Sequence, residues 1–269
     1  MASGSLNEDA GLFGPHSVLW RVNRESAVTL AGTCALLMQF AHPKVAAGVR
    51  DHSRYQVDAL GRLRNTLDLT LAIVFGPRAA ALEAVRVINA RHRTVRGPGY
   101  SAIDPELLLW VHATLVYSAI RGYRALVGPL SDDEADQYYQ DTKQIGVLLG
   151  IRRDMYPARV DRFEAYLHDM IDSREVAVGA DARRMAGYVL RPSLGGVPRV
   201  AFAPLAMITA GLLPARLRQD YGLKWGRTQR AAFAACRAAL PRVVAIAPRP
   251  VRFLPPARNA YRRLKLAPA

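Results

Sequence analysis

A series of apolar segments with helical spacing, each closed by proline or glycine, constrains the fold of this chain more than any other feature. The clearest segment begins at Asp104-Pro105-Glu106, where an N-cap residue precedes a proline in the first helical turn, and it continues to Leu126. No alternating strand pattern of useful length competes with these segments. The first two-thirds of the chain therefore predict an all-α fold.

The same start and stop signals predict further helices at 24–40, 60–75, 78–95, 131–149, 157–173, 198–213 and 228–240. Prolines are frequent beyond residue 180, so the helices there are expected to be short. We predict three parts: a flexible N-terminus at 1–14, a helical core at 15–180 and a C-terminal extension at 181–269. The extension is expected to be basic, helical, punctuated by proline and packed on the core.

The composition favours an intracellular globular protein. Of the 269 residues, 51% are hydrophobic, which is enough for a substantial core. The two cysteines, Cys34 and Cys236, indicate neither a disulfide framework nor a zinc site. The first residues lack the pattern of a secretory signal, and the longest apolar stretch, 200–214, is too short to span a membrane and contains Pro204. The expected location is the cytoplasm.

The positive charge lies almost entirely in the last third of the chain. Residues 182–269 contain 17 Lys and Arg against one acidic residue, a net charge of +16, whereas residues 1–181 have a net charge of −1. A field of one sign attracts phosphates or anionic lipid headgroups. Three interpretations stay open: a solvated arginine-rich face, peripheral contact with an anionic membrane, and nucleic-acid binding. Membrane contact ranks above nucleic acid, because a lipophilic substrate would partition into the membrane.

The histidines are the main candidates for chemistry, because the sequence contains no nucleophile elbow, phosphate-binding glycine loop, HExxH motif or CxxC motif. On a 3.6-residue period, His92 and His112 each share a helix face with apolar neighbours, so both rings are predicted to point to the core. Each is either a core histidine with a hydrogen-bonded nitrogen or an axial ligand of an iron macrocycle. A bare metal ion is a third interpretation, although no carboxylate lies at a diagnostic spacing.

Arg62 and Thr66 form a second candidate pair. They are four residues apart and therefore lie on one face of the helix predicted at 60–75. If that face is buried, both side chains need hydrogen-bond partners. Such a partner could be a carboxylate of a bound cofactor or an oxygen species bound to that cofactor. A solvated arginine and a surface threonine are the alternative.

Six segments together resemble the oxygenase family that includes MpaB and the latex-clearing rubber oxygenases. They are QFAHPKVAAGVRDHS at 39–53, GRLRNT at 61–66, VFG at 74–76, HRTVRG at 92–97, YSAIDPELLLWVHATLV at 100–116 and DQYYQDTKQIGVLLGI at 136–151. The resemblance covers residues 15–175.

The resemblance implies a globin-like helical bundle that holds haem b and uses dioxygen to cleave a carbon–carbon double bond of an isoprenoid. His92 matches the proximal iron ligand. Arg62 and Thr66 match an arginine and a threonine beside the haem, and the resemblance implies a catalytic role for both. His112 lies in a family motif and is assigned to cofactor binding. The chain departs from the rubber oxygenases at Asn65, where they have a lysine, and near Ala46, where a glutamate is expected.

The sequence thus predicts a haem-dependent oxygenase that acts on a hydrophobic alkene with dioxygen, with cleavage or hydroxylation as the outcome. The alternative is a non-catalytic helical protein whose basic C-terminal region binds an anionic membrane surface or nucleic acid. A haem-free scaffold of the same fold is a third hypothesis, kept open by Asn65 and Ala46.

Overall fold

The computed structural model of the protein describes residues 9–53, 67–192 and 196–267. In these ranges the secondary structure is helical apart from one pair of two-residue strands and one isolated bridge, which confirms the predicted all-α fold. In chain order the elements are α1 (Val18–Asn23), a 3-10 helix (Ser26–Ala31), α2 (Gly32–Phe40), α3 (Pro43–His52), α4 (helical over 67–75), α5 (Arg78–Thr94), β1 (Arg96–Gly97), β2 (Tyr100–Ser101), α6 (Pro105–Leu126), α7 (Asp132–Leu148), a 3-10 helix (Arg153–Met155), α8 (Val160–Asp172), α9 (Ala180–Leu190), a 3-10 helix (Arg199–Phe202), α10 (Ala203–Leu212), α11 (Ala215–Asp220), α12 (Arg227–Ile246), α13 (Arg249–Arg252) and α14 (Pro255–Arg263).

Helix α6 is the centre of the hydrophobic core. It begins where the sequence predicts, because the Asp104 carboxylate accepts a hydrogen bond from the amide of Glu106 at 3.0 Å. Most of its residues are buried, and α2 and the first 3-10 helix pack against it. At Gly122 an added Cβ atom would lie 2.6 Å from the Cβ of Ala31. The absence of a side chain there lets the two helices approach closely.

The segment predicted as one helix at 24–40 is divided in the structure. Residues 26–31 form a 3-10 helix and only α2, from Gly32, is α-helical. The physical reason is tertiary: the Ser26 hydroxyl donates to the carbonyls of Val251 and Arg252, and Glu25 forms a β-bridge with Phe253. These bonds hold the start of the 3-10 helix against residues 251–253.

Helix α12 is also longer than predicted. Its 20 residues pass through Pro241, although the frequent prolines of this region favour short helices. The Arg242 guanidinium donates to the carbonyl of Ala238 in the turn that contains the proline. No helix among the described residues is both long enough and apolar enough to cross a membrane.

The C-terminal residues are joined to the start of the chain by a buried ion cluster. The Glu25 carboxylate accepts two hydrogen bonds from Arg252, at 2.9 and 3.0 Å, and lies 3.4 Å from the Nε of Arg24. Arg24 also donates to the Tyr261 hydroxyl at 3.1 Å and lies over the Phe253 ring. Residues 249–263 therefore pack on α1 and the first 3-10 helix. The division into parts at residue 180 stays a prediction.

Candidate functional site

His92 lies in the last turn of α5, and its ring is half-buried. Its Nδ1 atom is buried and forms no hydrogen bond with any described residue. Burial lowers the pKa of His92 below the ordinary value of histidine, since a charged ring would be poorly solvated there. The imidazole is therefore neutral at pH 7 and has a lone pair available for a ligand.

A short hairpin follows His92 and fixes the end of its helix. Val95 is extended, and β1 then pairs with β2 in antiparallel register through a turn in which Gly99 has a φ of 78°. An added Cβ at Gly97 would lie 2.5 Å from the Tyr100 ring, so glycine is needed for this ring to fold over the turn.

The hairpin packs against α3, which brings two of the family-like segments together. An added Cβ at Gly48 would touch Val95 and Tyr100 at 3.5 and 3.4 Å. The Tyr100 hydroxyl donates to Asp51 at 2.7 Å, and the Nε2 of His52 lies 3.0 Å from the carbonyl oxygen of Arg96. Helix α3 and the hairpin therefore form one wall next to the end of α5.

His112 has a different environment from His92, because it is buried and its Nδ1 has a side-chain partner. The Tyr156 hydroxyl lies 3.1 Å from its Nδ1, and the ring also hydrogen bonds to the backbone of Thr142. Burial lowers the pKa of His112 to about 4. This is the geometry of a hydrogen-bonded core histidine, and a role in cofactor binding stays a prediction.

Two features near the histidines did not emerge from the sequence. Tyr156 was not singled out, because it lies 44 residues from His112 and no periodic pattern links them. His42, which lies in the family-like segment at 39–53, is buried and acts as N-cap of α3, accepting a hydrogen bond from the amide of Lys44 at 3.3 Å. The His-Pro pair that it forms with Pro43 is the signal that could have identified this cap.

The predicted pair Arg62 and Thr66 lies outside the described residues, as does Asn65. Ala46 is buried in α3. In 9–53, 67–192 and 196–267, no group of three or more His, Cys, Asp and Glu side chains is arranged to hold a metal ion. The described part of the candidate site therefore consists of His92, the hairpin and α3.

Comparison with known proteins gives a family match that includes this site. The sequence model of the family described as "ER-bound oxygenase mpaB/B'/Rubber oxygenase, catalytic domain" matches residues 20–242. Uncharacterized proteins of Mycobacterium tuberculosis and Mycobacterium bovis are each 29% identical to this chain over 217 residues, which cover 74% of this chain and 81% of theirs. No solved structure matches the chain significantly.

Proposed function

Because the chain belongs to the mpaB and rubber oxygenase catalytic-domain family, we propose that it is a haem b-dependent oxygenase. Its substrates would be dioxygen and a hydrophobic, isoprenoid-like alkene. The observation that carries this proposal is the buried Nδ1 of His92, which has no hydrogen-bond partner among the described residues. A buried polar atom without a partner costs about 1 to 3 kcal/mol, so such atoms commonly indicate a functional role.

Among the described residues, His92 fits the role of a haem ligand. His92 would hold the iron, and bound haem would supply the metal that activates dioxygen. The protein keeps the imidazole neutral by burial and fixes the end of α5 through the hairpin and α3. Arg62 and Thr66 are proposed on the family resemblance to lie beside the haem.

The proposed reaction is oxidative cleavage of the double bond. Both atoms of dioxygen would end in the two carbonyl products, so the reaction needs no external reductant. The role of the protein would be to exclude water and to position an apolar substrate next to the cofactor.

The test is the visible spectrum of the full-length protein, as purified and after haem reconstitution. We expect a Soret band that is lost in H92A and retained in H16A, because His16 is exposed and lies far from the candidate site in the sequence. Absence of the band after reconstitution, or full haem content in H92A, would overturn the proposal. Incubation with isoprenoid alkenes and dioxygen, with mass spectrometry of carbonyl products, would distinguish cleavage from hydroxylation.

A second candidate function, contact with an anionic membrane, is favoured by the surface of α12. Phe233 is the buried residue of this helix, whereas Ile246 is 84% exposed and Val251, in the following α13, is 70% exposed. Residues 222–269 contain 11 Lys and Arg and no acidic residue. Exposed apolar side chains beside a run of basic residues are typical of helices that lie in a membrane interface.

Flotation with vesicles of phosphatidylglycerol and phosphatidylcholine tests this contact. We expect I246E to reduce binding and I103E to leave it unchanged, since Ile103 is an exposed apolar residue outside the basic region. Equal binding of the two variants would contradict the proposed surface. A salt-sensitive gel shift with DNA, without flotation, would favour nucleic acid instead.

A further inference from the structure

A cleft of about 370 Å³ lies between α6, α8 and the segment that joins α10 to α11. This volume falls within the roughly 300 to 1,000 Å³ that is usual for ligand pockets. Neither His92 nor His112 is among its described lining residues. The cleft is therefore separate from the described part of the candidate site.

Three arginines converge on this cleft from two helices. Arg121 comes from α6, and Arg216 and Arg218 come from α11. Tyr117, His168 and Asp172 complete its polar lining. The cleft thus brings three permanent positive charges together with one carboxylate.

The arginines differ in how they are held. Arg216 is fixed by the backbone carbonyls of Ser173 and Val176 and by an ion pair with Asp220 at 3.3 Å. Arg218 donates to the carbonyl of Leu213 and lies over the Trp225 ring at 4.4 Å.

Arg121 lies over an aromatic face, with its guanidinium 5.4 Å from the centre of the Tyr117 ring. It forms no side-chain hydrogen bond with any residue that the structure describes. In the described part of the chain, no ion pair involves Arg121 or Arg218, and Asp172 is exposed without an ion pair of its own.

These cations repel one another. The pKa of Arg218 is lowered first by burial and also by the charges of Arg121 and Arg230. Holding like charges together costs free energy, which a bound anion would offset. The fixed positions of Arg216 and Arg218 also reduce the entropy that would be lost on binding.

We infer that this cleft binds a phosphate group, with Arg121, Arg216 and Arg218 as its ligands. A phosphate has several strong acceptor oxygens and a charge near −2 as a monoester, which suits three guanidinium groups better than a single carboxylate does. The group can belong to a soluble phosphate ester or to a lipid headgroup. The inference does not depend on the proposed oxygenase function.

The test compares R121Q with R78Q in the full-length protein. Both substitutions remove one charge from an exposed arginine that has no ion pair among the described residues, but Arg78 lies on α5, outside the cleft and outside the basic C-terminal region. Binding is measured by calorimetric titration with inorganic phosphate and with glycerol 3-phosphate at low ionic strength. A parallel arm measures flotation with phosphatidylglycerol and with phosphatidylcholine vesicles.

We expect R121Q to weaken phosphate binding by roughly tenfold to a hundredfold, the usual effect of losing a hydrogen bond between charged groups. The effect of R78Q should be much smaller. If the difference appears with the soluble phosphates, the ligand is a free ester, and if it appears only with vesicles, the ligand is a headgroup. Equal behaviour of R121Q and R78Q in both arms would overturn the inference, because the binding would then depend on the overall positive charge of the protein and not on the arginines of the cleft.

Discussion

Substitution of Gly146 by alanine should disrupt the pair formed by His112 and Tyr156. Gly146 is buried in α7, and an added Cβ would lie 1.6 Å from the hydroxyl oxygen of Tyr156 and 2.9 Å from its Cζ. Neither distance can be accommodated without movement of the ring. The ring would move away from the Nδ1 of His112, which now lies 3.1 Å from the hydroxyl.

The expected cost follows from three contributions. A buried His112 nitrogen without its partner costs about 1 to 3 kcal/mol. Overpacking of a core position costs a further 1 to 3 kcal/mol or so. The gain in helix propensity from glycine to alanine returns up to about 1 kcal/mol. We therefore expect G146A to lower the free energy of unfolding by about 3 kcal/mol.

The measurement is equilibrium unfolding in urea, with G187A as the matched control. Gly187 is an exposed residue of α9 with nothing within 4 Å of an added Cβ. G187A should therefore stabilise the protein by about 0.5 to 1 kcal/mol, opposite in sign to G146A. In a Y156F background the clashing oxygen is absent, so G146A should cost at least about 1 kcal/mol less there.

Two results would refute this reasoning. If G146A were as well tolerated as G187A, the close contact between Gly146 and Tyr156 would have no energetic consequence. If the cost of G146A were the same with Phe at position 156, the destabilisation would arise elsewhere than at the hydroxyl.

Two further predictions concern buried ionisable groups. E25Q should destabilise the protein by about 3 kcal/mol, because it leaves Arg252 and the buried Arg24 without their carboxylate. The control in urea unfolding is D154N, in the exposed pair with Arg152, which should change the free energy of unfolding little. A similar loss of stability in both variants would contradict the role of burial. The folded-state pKa of His112 is about 4 against an ordinary 6.5, so the unfolded state binds more protons between these values and stability should fall as the pH drops from about 6.5 to 4. In H112Q the free energy of unfolding should depend less steeply on pH across this range. An unchanged pH dependence would mean that other groups cause it.

The helix boundaries could be predicted where their signals are local. The amide of Ser131 donates to the Glu134 carboxylate and the amide of Glu134 donates to the Ser131 hydroxyl, as the capping-box sequence predicts for α7. Such bonds join residues three positions apart and need no distant partner. The same holds for Asp104 at the start of α6.

The errors occurred where distant residues decide the backbone. The helix predicted at 24–40 begins as a 3-10 helix because Glu25 and Ser26 bond to residues 251–253, more than 220 positions away. Helix α12 continues through Pro241, which local propensity does not predict.

For the candidate site, periodicity placed both His92 and His112 on apolar helix faces, and only the family-like segments assigned the ligand role to His92. The tertiary structure decided which histidine has a nitrogen without a hydrogen-bond partner. A periodic pattern specifies the face of a helix on which a side chain lies, but not the atoms opposite that face. His112 lies against Tyr156 and Thr142, whereas the Nδ1 of His92 has no hydrogen-bond partner among the described residues. Three arginines from two helices line one cleft. Packing between residues far apart in the sequence sets these contacts.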